Sequence, residues 1–333
     1  MSRFQKGLTG CLIGAALAVL LSAGAFAGGE AEPEIEPDYP TRPIEIMVPW
    51  GAGGATDIVF RTFASVIPEY LGTSILIDNQ PGGAAVPGYT EALGREGDGY
   101  YFVAWATPSL TVQHMRETPF SVDDFVPVIN LQTAPIWILV PADSPYETLV
   151  DLVEAAEADP GRIDLGNAGA GGGTHLIALA FEEEAGVEFN HVPHDGGGPA
   201  VIAAVGEHVD AISVGPPEGV AQMEGDELRA LAVFAEERID DFPDIPTAVE
   251  QGIDFTLGQW RGIAAPVGTP QEYIDHVHDA FKATMEDETF QTLADNAGII
   301  TDYIGGEEFI EHVEADYEFW GNLIRERGLG ERY

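Results

Sequence analysis

Basic residues are scarce in this sequence. Its 14 Lys and Arg stand against 56 Asp and Glu, a formal net charge of −42 over 333 residues. Such an excess of acid excludes nucleic acid and anionic membrane as partners, because both are recognised by cationic surfaces. It resembles the surfaces of proteins that work in strong brine, where a Debye length of about 3 Å at 1 M salt screens self-repulsion. The same screening lets an acidic protein capture a negative ligand, since only local groups then act on it. Cysteine is almost missing too: the one present is Cys11, inside an N-terminal leader. Removal of that leader excludes both disulfides and thiol chemistry. No later segment reaches the roughly 18 uninterrupted apolar residues of a membrane span. There is no Gly-x-Ser-x-Gly elbow, no Walker A loop, no Gly-x-Gly-x-x-Gly fingerprint and no recognised metal spacing, so no cofactor or metal is expected. Disorder is opposed by 16 Phe, 5 Trp and steady apolar periodicity.

The leader itself is legible. Arg3 and Lys6 precede an apolar run over residues 11–21, and Ala25-Phe26-Ala27 is a small-x-small cleavage site. Residues 1–27 therefore read as a cleavable secretory signal. Leu8-Thr9-Gly10-Cys11 mimics a lipobox, but Cys11 precedes the apolar run that a lipobox cysteine should follow. Residues 28–40, with Glu30, Glu32, Glu34 and Glu36, read as an acidic linker.

The stretch around which the rest is organised is Val48-Pro49-Trp50-Gly51-Ala52-Gly53-Gly54-Ala55-Thr56-Asp57. An apolar strand over residues 44–48 feeds it, and a helical pattern with Ile58, Val59, Phe60, Phe63, Val66 and Ile67 leaves it. A strand, a glycine loop and a helix start together present unpartnered N–H groups and about half a positive charge, a geometry suited to anions. Gly51, Gly53 and Gly54 admit close approach, Trp50 can face a ligand body, Thr56 reads as an N-cap, and Asp57 can accept a bond from ligand or loop. A bare strand-to-helix turn would carry the same pattern. The device recurs, however, at Ala168-Gly169-Ala170-Gly171-Gly172-Gly173-Thr174-His175, and a third glycine run follows His191-Val192-Pro193-His194-Asp195. Two such loops in two halves of a chain read as jaws. Thr107 and Ser109 follow an apolar strand at residues 100–105, where open α/β sheets bind ligands, although helix capping explains them equally well.

Short β-like runs alternate with helical patterns from residue 44 onward, the signature of an α/β protein. Strands are expected near 126–131, 136–140, 163–167, 209–214 and 228–235. A strand within 255–265 reads as a crossover back to the first domain, and two or three helices fill 271–327. The expected division is domain 1 at 41–134, domain 2 at 135–258, and a return to domain 1 at 259–333. His175, His191 and His194 with Asp195 read as ordinary hydrogen-bonded side chains.

Taken in order, these pieces resemble the Bug-type substrate-binding proteins of tripartite tricarboxylate transporters. The likeness runs through Tyr39-Pro40-Thr41-Arg42-Pro43, the 48–57 loop, Asn79-Gln80-Pro81-Gly82, Asp98-Gly99-Tyr100, Thr174-His175-Leu176, His191-Val192-Pro193, Asp244-Ile245-Pro246-Thr247 and Ala265-Pro266-Val267-Gly268-Thr269-Pro270. It implies a type II periplasmic-binding-protein-like fold: two α/β domains, a ligand cleft between them and two crossover strands. It implies a monomeric, non-catalytic periplasmic receptor that delivers a small carboxylated solute to permease subunits. A sensor subunit with the same binding chemistry is the alternative; an enzyme acting on a carboxylated substrate would need a nucleophile–base pair that the sequence does not show. By motif the first-domain contacts would be Trp50, Gly53, Thr56, Asp57 and Thr107. Those of the second would be Asn167, Ala168, Gly169, Thr174, Pro193, Gly196 and Asp210. The resemblance implies a carboxylate held by backbone N–H groups and water, without a Lys or Arg clamp. His194 and Asp195 stand where relatives carry an aromatic residue and a lysine, Gly172 where a serine is common, and Trp50 in place of Phe. These departures favour a ligand whose far end is apolar or an amide over one with a second strong charge.

Overall fold

The computed structural model describes residues 38–326, 328 and 329, so the signal, most of the linker and Cys11 lie outside the described residues. The chain runs β1 (Ile44–Val48), α1 (Ala55–Val66), α2 (Pro68–Leu71), β2 (Ile75–Asn79), α3 (Val86–Ala92), β3 (Tyr101–Ala106), α4 (Thr107–Met115) and β4 (Phe125–Pro135). It continues through β5 (Trp137–Pro141), α5 (Leu149–Ala158), β6 (Asp164–Asn167), α6 (Gly173–Ala185), β7 (Asn190–Pro193), α7 (Gly197–Val205), β8 (Ala211–Val214), α8 (Pro216–Glu224) and β9 (Leu228–Val233). The return comprises β10 (Gly258–Pro266), α9 (Gln271–Met285), α10 (Glu288–Asn296), β11 (Thr301–Gly305) and α11 (Gly306–Glu326).

Two mixed sheets result, in the orders β11-β4-β10-β3-β1-β2 and β7-β6-β8-β5-β9. In each, parallel pairs (β1 with β2 and β3; β6 with β7 and β8) adjoin antiparallel ones. Every residue of β3, Tyr-Phe-Val-Ala-Trp-Ala, is buried, as a central strand covered on both faces must be. Each sheet has an apolar cluster on either face. On the first, α1 lays Val59, Phe60 and Phe63 on the β1 side against α9 and α10, with Phe63 ring centroids 5.0 Å from Phe281 and 4.2 Å from Phe290. Removing such a side chain typically costs about 3–5 kcal/mol. The spacing of these residues is what makes the segment a helix: positions 59, 60, 63 and 66 form one apolar stripe.

The two sheets are joined by paired crossovers. β4 ends where β10 begins, with Pro135 opposite Gly258, and Ile136 N donates to Leu257 O at 3.4 Å. A Cβ on Gly258 would lie 2.7 Å from Ala134 O, so glycine is what lets the strands run this close. The expected two-domain α/β architecture with two crossover strands is the one observed. Four elements differ from the expectations. β11 interrupts the helical tail and adds an antiparallel edge to β4. Residues 107–115 and 216–224 form α4 and α8. α11 spans both halves, with Phe309 and Val313 packed beside the first sheet and Trp320 and Ile324 among the core residues of the second.

Candidate ligand-binding cleft

The first two glycine loops fold alike. Gly54 caps α1 with φ −79° and ψ 162°, and Gly172 caps α6 with φ −79° and ψ 170°. Gly54 N donates to Gly51 O at 3.2 Å and Gly172 N to Gly169 O at 3.0 Å, so each loop closes on itself one turn before the helix. The threonines are the second helical residue, not the N-cap: their hydroxyls face inward instead of covering the helix end. Thr174 Oγ1 takes Ala168 N at 3.0 Å, and Thr56 Oγ1 takes Arg261 Nε at 3.3 Å.

First-turn residues of α1, α6 and α7 converge on an inner chamber of about 30 Å³, room for about two water-sized groups. Its polar walls are Thr56, Thr174, Glu218, Gln259 and Arg261, closed by Gly172, Gly197 and the Trp50 ring. The three helix starts bring the positive ends of their dipoles to the chamber, and the first amide of α1, that of Ala55, is taken by Glu218. Arg261 is only 4% exposed. Burial pulls its pKa down and Glu218 pushes it back up, yet a guanidinium stays charged in a protein. Arg261 Nη1 donates to Gln132 Oε1 at 3.1 Å. Glu218, at the start of α8, accepts from Gly215 N at 2.7 Å and, across the cleft, from Ala55 N at 3.0 Å.

Trp50, Pro108, Ala168 and Gly172 also line an outer chamber of about 270 Å³. Its further walls include Gly82–Ala85, Arg116, Gly169, Pro193, His194 and Asp195. Ala84 and Ala85 both hold positive φ, 52° and 71°, a conformation that costs an L-residue about 1–2 kcal/mol. The Arg116 guanidinium reaches across to the second loop, with Nη2 3.4 Å from Ala170 O.

Of the positions named by motif, Trp50, Thr56, Ala168, Thr174 and Gly196 line the inner chamber, and Gly169 and Pro193 line the outer one. The others stand behind it. Asp57 accepts from Gly53 N, the Arg61 guanidinium and Asn79, all at 2.9 Å; burial pushes its carboxyl up, but these bonds outweigh that and hold it below the usual range. Asp57 therefore braces the first loop. Asn167 Oδ1 takes Gly169 N at 3.0 Å and braces the second. Thr107 is wholly buried and accepts from Trp260 N at 3.1 Å, which makes it a joint between α4 and β10. Ser109 bonds back to Ala106 at the start of α4, the capping arrangement. Asp210 takes Asp164 N at 2.8 Å, where β6 begins, at the opposite end of that strand from Asn167 and its loop.

Sequence reasoning missed Glu218, Gln259, Arg261 and Arg116. For Arg261 a signal existed: an arginine inside the apolar strand Trp-Arg-Gly-Ile-Ala-Ala. For Glu218 the signal was Pro-Pro-Glu after a strand, a proline-started helix with an acid at its third position. Against the expectation of a site without a basic clamp, the structure places a buried guanidinium in the wall of the inner chamber. His175 and His191 lie apart from both chambers: His175 Nδ1 accepts from Gly171 N at 2.8 Å, and His191 Nε2 pairs with Glu182 at 2.9 Å, while His194 lines the outer one.

Comparison with known proteins agrees with this architecture. The model of the tripartite tricarboxylate transporter family receptor, TctC, matches residues 59–329. The "UPF0065 protein in gbd 5'region" of Cupriavidus necator is 32% identical over 275 residues, 82% of each chain. Among solved structures, the periplasmic binding protein BugD superposes with a TM-score of 0.82 at 28% identity, covering 87% of this chain and 99% of its own. An R. palustris protein solved with adipate gives 0.83 at 26% identity, with the same coverage. With a family model spanning most of its length and a two-sheet cleft like theirs, this chain belongs to the TctC family of solute-binding receptors, which are not enzymes.

Proposed function

We propose that this chain is an exported periplasmic receptor that captures a small carboxylated metabolite between its two lobes. It then presents the closed, liganded form to the permease subunits of a tripartite tricarboxylate-type transporter, acting as a monomer. The hinge is assigned to the paired strands at residues 135 and 258, where the sequence also divides the domains. The observation that carries the reading is the inner chamber, where three helix starts and the buried Arg261 converge on a space of two water-sized groups that adjoins the larger outer chamber. That is the shape of a site for a carboxylate head and a short body. The relative solved with adipate supports the ligand class. Ligand acts by favouring the closed arrangement in proportion to its differential affinity for it.

The experiment is a thermal-shift and calorimetric panel of C3 to C8 mono- and dicarboxylates on purified protein in high salt. A rise in Tm with at least one member, and loss of that rise in Thr56→Val combined with Thr174→Val, is the expected result. A broad panel without any shift, and no small acid released from gently purified protein, would overturn the carboxylate assignment.

A further inference from the structure

The inner chamber has an acceptor wall as well as a donor wall. Glu218 is 7% exposed, and its two oxygens each take one amide, Ala55 N at 3.0 Å and Gly215 N at 2.7 Å. A carboxylate offers about four acceptor positions, so about two stay open on a side chain that lines the chamber. Beside it stands Arg261, whose Nη2 and the Glu218 Oε2 would lie 3.3 and 3.4 Å from a Cβ placed on Gly215; its Nε and Nη1 meet Thr56 and Gln132, and its Nη2 has no protein acceptor among the described residues. Glu218 and Arg261 share the chamber without a direct ion pair between them. A plain ligand carboxylate suits Arg261 and the helix starts but leaves Glu218 beside a like charge, with nothing donating to its open positions. Such an arrangement in a low-dielectric site is costly. A hydroxyl or ammonium on the next carbon removes the conflict: the carboxylate turns to Arg261 and the neighbouring donor turns to Glu218.

We propose that Glu218 is a specificity-determining residue that reads a hydrogen-bond donor on the carbon next to the ligand carboxylate, so that the site takes 2-hydroxy or 2-amino carboxylates ahead of their unsubstituted counterparts. The inference rests on the carboxylate reading above and narrows its ligand class. It gives a physical reason for an acid at the one place in the cleft where an anion is to be held.

The test is titration calorimetry in high salt with matched pairs, malate against succinate and 2-aminoadipate against adipate. The substituted member of a binding pair is expected to be about tenfold tighter or more, the usual size of a hydrogen bond to a charged group. In Glu218→Ala the ratio falls to within about twofold, because the substituted ligand weakens, while the plain ligand holds or tightens on the freed Ala55 amide. Glu218→Gln keeps the side-chain shape and one accepting oxygen but loses the charge, so the ratio falls part of the way, and this variant covers the case of an alanine variant that does not fold; an unchanged ratio in Glu218→Gln also overturns the inference. Equal binding of both members by the unaltered protein overturns the inference and leaves the carboxylate reading standing. Equal weakening of both members in Glu218→Ala also overturns it, since Glu218 would then serve only to hold the lobes together. Failure of every carboxylate to bind is a different result, and it overturns the reading beneath.

Discussion

A Cβ placed on Gly51, in the first glycine loop, would lie 2.6 Å from the carbonyl oxygen of Asp195 in the loop before α7. The lobes meet backbone to backbone there, and the contact is reciprocal: a Cβ on Gly198 would lie 2.9 Å from Gly53 O. Gly51 is not among the glycines with positive φ, so an alanine would fit its own loop and clash only with the other lobe. Gly51→Ala is expected to fold with an unchanged Tm, to bind ligand about ten- to a hundredfold more weakly, and to lose ligand-induced compaction in small-angle scattering. Unaltered affinity would mean that this approach of the lobes is not the liganded arrangement.

Arg261 is expected to carry a large share of the carboxylate affinity. A charge-assisted bond in a water-poor site is worth about 1.5–3 kcal/mol, so Arg261→Gln should weaken ligand by about ten- to a hundredfold. Arg261→Lys keeps the charge but loses the planar fork and the reach to both Thr56 and Gln132, and should fall between. Because the pair of charges is buried, the loss should persist at 2 M salt, where a surface pair would be screened. A loss that vanishes in high salt would place Arg261 outside the contact.

Much of this molecule is legible in its sequence. Glycine loops ahead of amphipathic helices announce themselves, because strand, punctuation and 3.6-residue period change within ten residues, and the order of strands and helices follows. Asp57 marks where that legibility stops. Its type and position suited a ligand contact equally well, and only the fold reveals that Gly53, Arg61 and Asn79 occupy its oxygens. Arg261 and Glu218 were hidden for a second reason: they come from segments more than 160 residues beyond the first loop, and proximity across a cleft leaves no local pattern. β11 was missed because a five-residue edge strand between helices, Thr-Asp-Tyr-Ile-Gly, has one buried face at most.

His175 should make stability fall as the solution is acidified. Burial, and then the nearby His191, lower its pKa from 6.5 to about 3, and its Nδ1 accepts the Gly171 amide that shapes the second loop. Between those two pH values the unfolded chain binds a proton that the folded chain refuses, so stability is full above about pH 6.5 and is lost as pH falls toward 3. By pH 4.5 the loss attributable to this group is about 2–3 kcal/mol. His175→Gln keeps an acceptor for Gly171 and removes the titration. Its melting temperature should fall less between pH 7 and pH 4.5 than that of the unaltered protein, and parallel pH profiles for the two would refute the assignment.

The acidic excess should govern both stability and capture rate through salt. At a net charge of −42 the folded chain repels itself over a Debye length of about 30 Å at 0.01 M salt, but only about 3 Å at 1 M. The Tm should therefore climb steeply between 0.05 and 2 M NaCl, and sucrose at equal osmolality, which acts by exclusion and not by screening, should give a smaller rise. Ligand capture adds a sharper test. An anionic ligand approaching an anionic protein is slowed by the long-range field and released from it by salt, so the association rate should increase with ionic strength, the reverse of steered encounters. The dissociation rate, set by Arg261 and the helix starts inside the cleft, should hardly move. Stopped-flow measurements that show association falling with salt would mean that a local positive field at the cleft mouth outweighs the acidic surface.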